Sequence, residues 1–276
     1  MKVIRADKLG FCVGVQGAIK LAGAATERGR PVYSLGPIIH NKQVVDRLAE
    51  TGLATVESLD EAREGAVLIR AHGVPPETFE AISHGEREVV DATCALVRRA
   101  QNIVKKLHEE GYQVVMIGDA DHPEVKGIIG YAPNVIVIED LADLDRLPKR
   151  GRLGIVVQTT QSPKHFGAMV GEIVSRSFRE IKVVNTLCLE VVRRQEAAVS
   201  LCDKVDVMFV LGGLHSANTR ELARLCQEQG VPTYHLEGWG SFHEEFVASC
   251  ETAGVAAGAS TPSWVIDEFV ESLEAL

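Results

Sequence analysis

Short apolar, β-branched runs alternate with stretches of helical period along the whole chain. Val32-Tyr33-Ser34-Leu35, Val67-Leu68-Ile69, Val114-Val115-Met116-Ile117, Ile155-Val156-Val157 and Val207-Met208-Phe209-Val210 read as strands. Residues 1–7 read as a further strand that starts the fold. After Cys94 the period lengthens: Leu96, Ala100, Ile103 and Leu107 form one apolar stripe, with Val97 and Val104 beside it. Strand and helix in alternation predict an α/β fold with mainly parallel pairing.

The pattern repeats. Cys12, Cys94 and Cys188 each stand just before a helical stretch. The offset from Cys12 to His40, from Cys94 to His122 and from Cys188 to Ser216 is the same, 28 residues. Each of those polar residues sits in a loop after an apolar strand. A second set matches as well. Ala66–Ile69 leads to His72 and then Pro75-Pro76, Gly154–Val157 leads to Thr159 and then Pro163, and Gly254–Ala257 leads to Ser260 and then Pro262. Proline suits a helix's first turn, which has no use for the missing N–H. The chain therefore reads as three copies of one α/β unit, with expected bounds 1–93, 94–187 and 188–276. Three copies suit a ring around an axis, with the cysteines and the polar loops facing one centre. Ligands of parallel sheets bind beyond the carboxyl ends of the strands, which is where these loops fall.

Composition narrows the function. With 29 Lys and Arg against 38 Asp and Glu, the formal net charge is −9. That balance argues against a nucleic-acid or anionic-membrane surface while leaving room for a local anion pocket. No apolar run approaches the roughly 20 residues of a membrane span. The first residues lack the apolar stretch of a secretion signal, so the expectation is a cytoplasmic protein.

The six cysteines, at 12, 94, 188, 202, 226 and 250, include no Cys-x-x-Cys. In a reducing compartment they do not form a disulfide framework. Taken singly, each reads as a buried thiol. Taken by phase, Cys12, Cys94 and Cys188 are a set, and three thiolates from distant positions point to a metal site. Zinc with an open position fits, and an iron–sulfur cluster with one iron left open fits better. Cys202, Cys226 and Cys250 have no such phase and read as core.

Several segments together resemble a known family. Gly10-Phe11-Cys12-Val13-Gly14-Val15, Gly36-Pro37-Ile38-Ile39-His40-Asn41, Ala71-His72-Gly73-Val74-Pro75-Pro76, Asp91-Ala92-Thr93-Cys94, His122-Pro123-Glu124-Val125, Gln158-Thr159-Thr160, Arg194-Gln195-Glu196, Ser216-Ala217-Asn218-Thr219 and Gly258-Ala259-Ser260-Thr261-Pro262 are similar to the signatures of the hydroxymethylbutenyl diphosphate reductase (IspH/LytB) family. The resemblance covers essentially the whole chain. It implies a trefoil of three pseudo-threefold-related α/β units around a [4Fe–4S] cluster held by Cys12, Cys94 and Cys188. It assigns His40, His72, Ser216, Asn218 and Ser260 to the diphosphate of a small allylic substrate. It places Glu124, His122 and Thr159 around the substrate hydroxyl, with Glu124 as proton donor. Without the resemblance, the favoured reading of Glu124 is an ordinary solvated helix-start carboxylate after Pro123. The implied electron donor is reduced ferredoxin or flavodoxin, with no nucleic-acid or membrane partner.

The remaining histidines, His84, His108, His165, His215, His235 and His243, read as surface or loop residues. Two positions depart from the family pattern. Val191 stands where a threonine follows the third cluster cysteine, and His215 where asparagine is common. The loss of a hydroxyl at Val191 keeps a second reading in view, a related iron–sulfur reductase with another substrate. A non-enzymatic iron–sulfur sensor or carrier is the reading from a different class.

Overall fold

The structure, a computed structural model, describes residues 1–62, 64–84 and 87–276. Among them the strands form three four-stranded sheets in which every pairing is parallel. Parallel strands are covered on both faces, so they read as continuous apolar runs rather than as alternation. This is why the central strands were the easiest elements to find in the sequence.

The chain divides into two units. One comprises Met1–Gln16, Ile39–Arg47 and Leu189–Leu276. Its sheet has the order β1 (Lys2–Arg5), β12 (Thr252–Ala257), β10 (Val207–Leu211), β11 (Thr233–Leu236). The N-terminal strand thus completes the sheet of the last third of the chain. Side chains alternate across β10 and divide two cores. Val207, Phe209 and Leu211 meet Ile266, Phe269, Val270 and Leu273 of α9 (Ser263–Glu274). Met208 and Val210 meet Ala198, Leu201 and Cys202 of α7 (Leu189–Cys202) and Leu222 and Cys226 of α8 (Ala217–Gln227).

The other unit comprises Gly17–Ile38 and Leu48–Cys188 and holds two sheets. One runs β3 (Leu53–Val56), β2 (Val32–Leu35), β4 (Ala66–Ile69), β5 (Glu88–Asp91). The next runs β7 (Ile136–Ile138), β6 (Gln113–Ile117), β8 (Arg152–Val157), β9 (Glu180–Val183). Four helices of this unit matter for the site: α3 (Pro76–Ser83), α4 (Ala95–Glu109), α5 (Pro123–Ile129) and α6 (Pro163–Val174). Helix α4 differs from the stripe expected of it. Val97, Ala100, Gln101, Val104 and Leu107 are buried, whereas Leu96 and Ile103 lie at the edge of the buried face. The face turned because Gln101 belongs to it. Its Nε2 donates to the carbonyls of Gly127 at 3.1 Å and Val74 at 3.5 Å, so its amide is buried with partners.

All three sheets share one strand order. Two neighbouring strands are central, and their connections leave in opposite directions. These pairs are β2 and β4, β6 and β8, and β10 and β12. Such reversals open a crevice at the carboxyl ends of the two strands. The two sets of polar loops picked out by sequence phase are the loops that follow these paired strands. The fourth strand of each sheet is β5, β9 or β1, and each leads to one of the cysteines Cys94, Cys188 and Cys12.

Candidate active site

In the first unit, the loops after β10 and β12 form one polar cradle. Ser216 caps α8, its Oγ accepting from the Thr219 N–H at 3.4 Å, and its own N–H donates to the Gly213 carbonyl at 2.9 Å. Gly213 is glycine of necessity, because a Cβ there would run into the His40 carbonyl. That same carbonyl accepts from the Ser260 hydroxyl at 3.4 Å. Gly258 faces Thr219 with no room for a side chain, and the Asn218 Nδ2 lies 3.5 Å from where its Cβ would be. His40, Ser216, Asn218 and Ser260 thus lie on loops bound to one another.

The polar atoms of this cradle are incompletely used. Asn218 is 6% exposed, yet among the described residues neither its Oδ1 nor its Nδ2 has a hydrogen-bond partner, and the Thr219 Oγ1 has none either. A buried amide without partners costs about 1–3 kcal/mol. A cradle with free amide and hydroxyl groups at the N-terminus of a helix is suited to receive an anion.

In the second unit, His122 caps α5. Its Nδ1 accepts from the Glu124 N–H at 3.1 Å, so in the neutral ring the proton is on Nε2. The His122 ring stands edge-on to His72, with centroids 5.4 Å apart. His72 sits at a turn in which Gly73 has φ +70° and Gly127 of α5 passes close to the His72 carbonyl. Glu124 is buried. Its Oε1 accepts from the Thr159 N–H at 2.8 Å, and its Oε2 from the Thr159 hydroxyl at 2.8 Å. Burial raises the carboxyl's pKa, against the lowering effect of the two bonds from Thr159. His72, His122, Glu124 and Thr159 belong to this second group.

The cysteines follow a common rule. The Cys12 N–H donates to the Ala259 carbonyl at 3.1 Å, that of Cys94 to Ala71 at 3.0 Å, and that of Cys188 to Thr159 at 2.9 Å. Each is tied to a loop that carries a polar site residue, respectively Ser260, His72 and Thr159. Cys94 and Cys188 immediately precede α4 and α7, and Cys12 immediately precedes α1 (Val13–Thr26). All three are half-buried, and the Cys12 Sγ accepts from the Val15 N–H at 3.4 Å. Cys202 and Cys226 are the opposite case, deep in the core with both thiols pushed up by burial. Cys250 is half-buried beside the α9 core.

Sequence reading missed two supports of the cradle. His235, expected at the surface or in a loop, lies half-buried in β11, and its Nε2 donates to the Gly212 carbonyl at 3.0 Å. Burial lowers its pKa, against the raising effect of that bond. Glu237 accepts from the Leu214 N–H at 3.4 Å. For His235 the available signal was alternation along a four-residue strand, which is too short to decide; Glu237 follows the strand and carried no signal.

Three parallel α/β sheets with polar loops at their switch points, a buried carboxyl and helix-opening cysteines are the architecture of an enzyme of the α/β class. Residues 3–274 match the family described as LytB protein, and the chain belongs to that family. It is 45% identical over 278 residues to the 4-hydroxy-3-methylbut-2-enyl diphosphate reductase of Geobacter sp. (strain M21), covering 100% of this chain and 98% of that relative. It is 43% identical over 275 residues to the reductase of the same name from Trichlorobacter lovleyi, covering 99% of this chain and 98% of that one. A solved structure of (E)-4-hydroxy-3-methyl-but-2-enyl diphosphate reductase, described as the terminal enzyme of the non-mevalonate pathway, matches over 100% of both chains at 40% identity and TM-score 0.72. A Plasmodium falciparum reductase structure matches over 99% of this chain and 87% of that one, at 26% identity and TM-score 0.93. Among the described residues no helix is long and apolar enough to cross a membrane.

Proposed function

We propose that this chain reductively removes the hydroxyl group of 4-hydroxy-3-methylbut-2-enyl diphosphate, giving isopentenyl and dimethylallyl diphosphate. The observation that carries the reading is the buried Glu124 carboxyl held by Thr159, in a chain that matches reductases of this substrate over its whole length. The reaction breaks one C–O bond and forms one C–H bond. Two electrons and two protons enter: one proton leaves with the hydroxyl as water, and the other adds to either end of the allyl group.

Hydroxide is a poor leaving group, so the first proton must be at hand. Burial keeps Glu124 protonated to higher pH than an exposed glutamate, which suits a general acid. The Thr159 hydroxyl, 2.8 Å from Oε2, both accepts and donates, and passes the proton toward the substrate oxygen. His122, through its Nε2–H, orients that oxygen. His40, His72, Ser216, Asn218 and Ser260 hold the diphosphate, and the free amide of Asn218 gains in the complex the partners it otherwise lacks.

Cys12, Cys94 and Cys188 hold the iron–sulfur cluster used by the family. They fit it as a set, being half-buried, helix-opening and identically tied, whereas Cys202 and Cys226 are core thiols. Bound by three thiolates, a [4Fe–4S] cluster supplies the two electrons and a Lewis-acidic iron for the leaving hydroxyl. The electrons come from reduced ferredoxin or flavodoxin, and the enzyme works in the cytoplasm. Anaerobic reconstitution, iron and sulfide counting and an assay with a reduced viologen dye test the reading. Turnover with a full cluster supports it. Zinc without sulfide, or a full cluster with no turnover, opposes it.

A further inference from the structure

We infer that the outer face of α4 beside Cys94 is the docking surface for a small acidic redox protein. The inference rests on the reductase reading, which requires electrons from outside the chain. A surface hollow of about 440 Å³ is lined by Thr93 and Ala95, the two neighbours of Cys94, and by Arg98, Arg99, Asn102, Ile103 and Lys106. Among these residues Ala95 and Ile103 are apolar and Arg98, Arg99 and Lys106 are cationic, on a chain whose net charge is −9.

The helix dipole does not account for the two arginines, whereas Lys106 sits in the last turn, where a cation is favoured. Cations are disfavoured near a helix N-terminus by the macrodipole, yet α4 has Arg98 and Arg99 there and no acid before Glu109. Arg98 has a local task, an ion pair with Asp91 at 2.9 Å, while Asp91 also accepts from the Thr93 N–H. Arg99 reaches only a backbone carbonyl, that of Asn185 at 3.3 Å. Lys106 lies 3.8 Å from Glu110, which is held more closely by Lys182 at 2.5 Å. Arg99 and Lys106 are thus the charges most available to a partner.

Equivalent points on the other two cysteine-bearing helices are also uncovered. Val13 after Cys12 is 78% exposed and Leu189 after Cys188 is 66% exposed. Apolar side chains uncovered beside a half-buried ligand suit a transient contact, and redox encounters use small interfaces of this kind. Rim charges of such contacts act chiefly on association and are screened by salt.

The test compares the reconstituted parent chain with the R99E/K106E double variant. With reduced flavodoxin or reduced ferredoxin at low ionic strength, the KM for the protein donor should rise about tenfold or more in the variant. The gap should shrink to about twofold in 0.5 M salt. Viologen-driven turnover should stay unchanged. Calorimetric titration with the oxidised donors reads docking without turnover and should show the same weakening. Equal affinity of both chains for both donors overturns the surface. A parent chain inactive even with viologen would refute the reductase reading instead, and the titration would still decide the surface.

Discussion

The two polar regions solve opposite problems. Around Asn218 the protein leaves buried donors and acceptors without partners. Around Glu124 it leaves none on the carboxyl, both of whose oxygens are held by Thr159. On the proposed reading the first region is completed by the diphosphate and costs stability until it binds. On the same reading the second is complete in advance, because a proton donor must be in position before the reaction begins. A binding site can wait for its partner, whereas a catalytic acid has to be preorganised and kept protonated.

The largest effect should come from Glu124→Gln. The amide keeps the shape and can still accept from Thr159, but it cannot give up a proton. Turnover should fall by roughly 10²–10⁴, the usual contribution of general acid catalysis, while the iron and sulfide content stays that of the parent. Near-normal turnover would remove Glu124 from the reaction. The same change has a signature in stability. The pKa of Glu124 is raised in the fold, so the native state holds this proton more tightly than the unfolded chain. The associated stability is fully present below the unfolded value of about 4.3 and is lost as pH rises toward and through the folded value. Denaturant titrations should show that loss in the parent and not in Glu124→Gln.

Asn218→Leu tests the other half of the contrast. Removing the unpartnered amide should leave the ligand-free protein as stable as the parent, or more so, because replacing an unsatisfied buried group by an apolar one is nearly neutral or favourable. The KM should nevertheless rise about tenfold, the equivalent of about 1.4 kcal/mol. The thermal shift produced by the diphosphate substrate should shrink accordingly. A marked fall in ligand-free stability would show that Asn218 is a structural residue.

His235→Phe should act more weakly. It removes one bond to the Gly212 carbonyl, worth about 1 kcal/mol, and so loosens the turn that leads to Ser216. The KM should rise about fivefold with kcat unchanged. A change in kcat without one in KM would place His235 elsewhere in the reaction.

The contrast between the two regions was only half legible in the sequence. The paired loops were visible because parallel strands advertise themselves as apolar runs, and polar residues after them stand out. The equal phase of Cys12, Cys94 and Cys188 was visible because one strand order recurs in all three sheets. What the sequence could not show was satisfaction. Nothing in the linear order says that Thr159 closes on Glu124, or that Asn218 is left open, since both depend on contacts between loops distant in sequence. Gln101 was hidden for a related reason. A polar residue on a helix reads as exposed until the carbonyls of Val74 and Gly127 are placed beside it. His235 lay on a strand of four residues, too short for its alternation to separate inner from outer positions, and Glu237 lay just beyond that strand's end.

The smallest effect concerns Val191, the departure that raised the question of a different substrate. Val191 is buried in the first turn of α7, 5% exposed. A threonine there has nearly the same shape, and its hydroxyl can bond back to the carbonyl one turn earlier, so Val191→Thr should fold with little loss. If the proton path runs through Glu124 and Thr159 alone, the added hydroxyl should leave turnover of 4-hydroxy-3-methylbut-2-enyl diphosphate within about twofold of the parent, well below the roughly tenfold that 1.4 kcal/mol of transition-state stabilisation would give. A gain of tenfold or more would mean that the hydroxyl at this position takes part in handling the substrate. The parent chain would then be adapted to another substrate, and the division into a waiting cradle and a finished proton donor would need a third element next to Cys188.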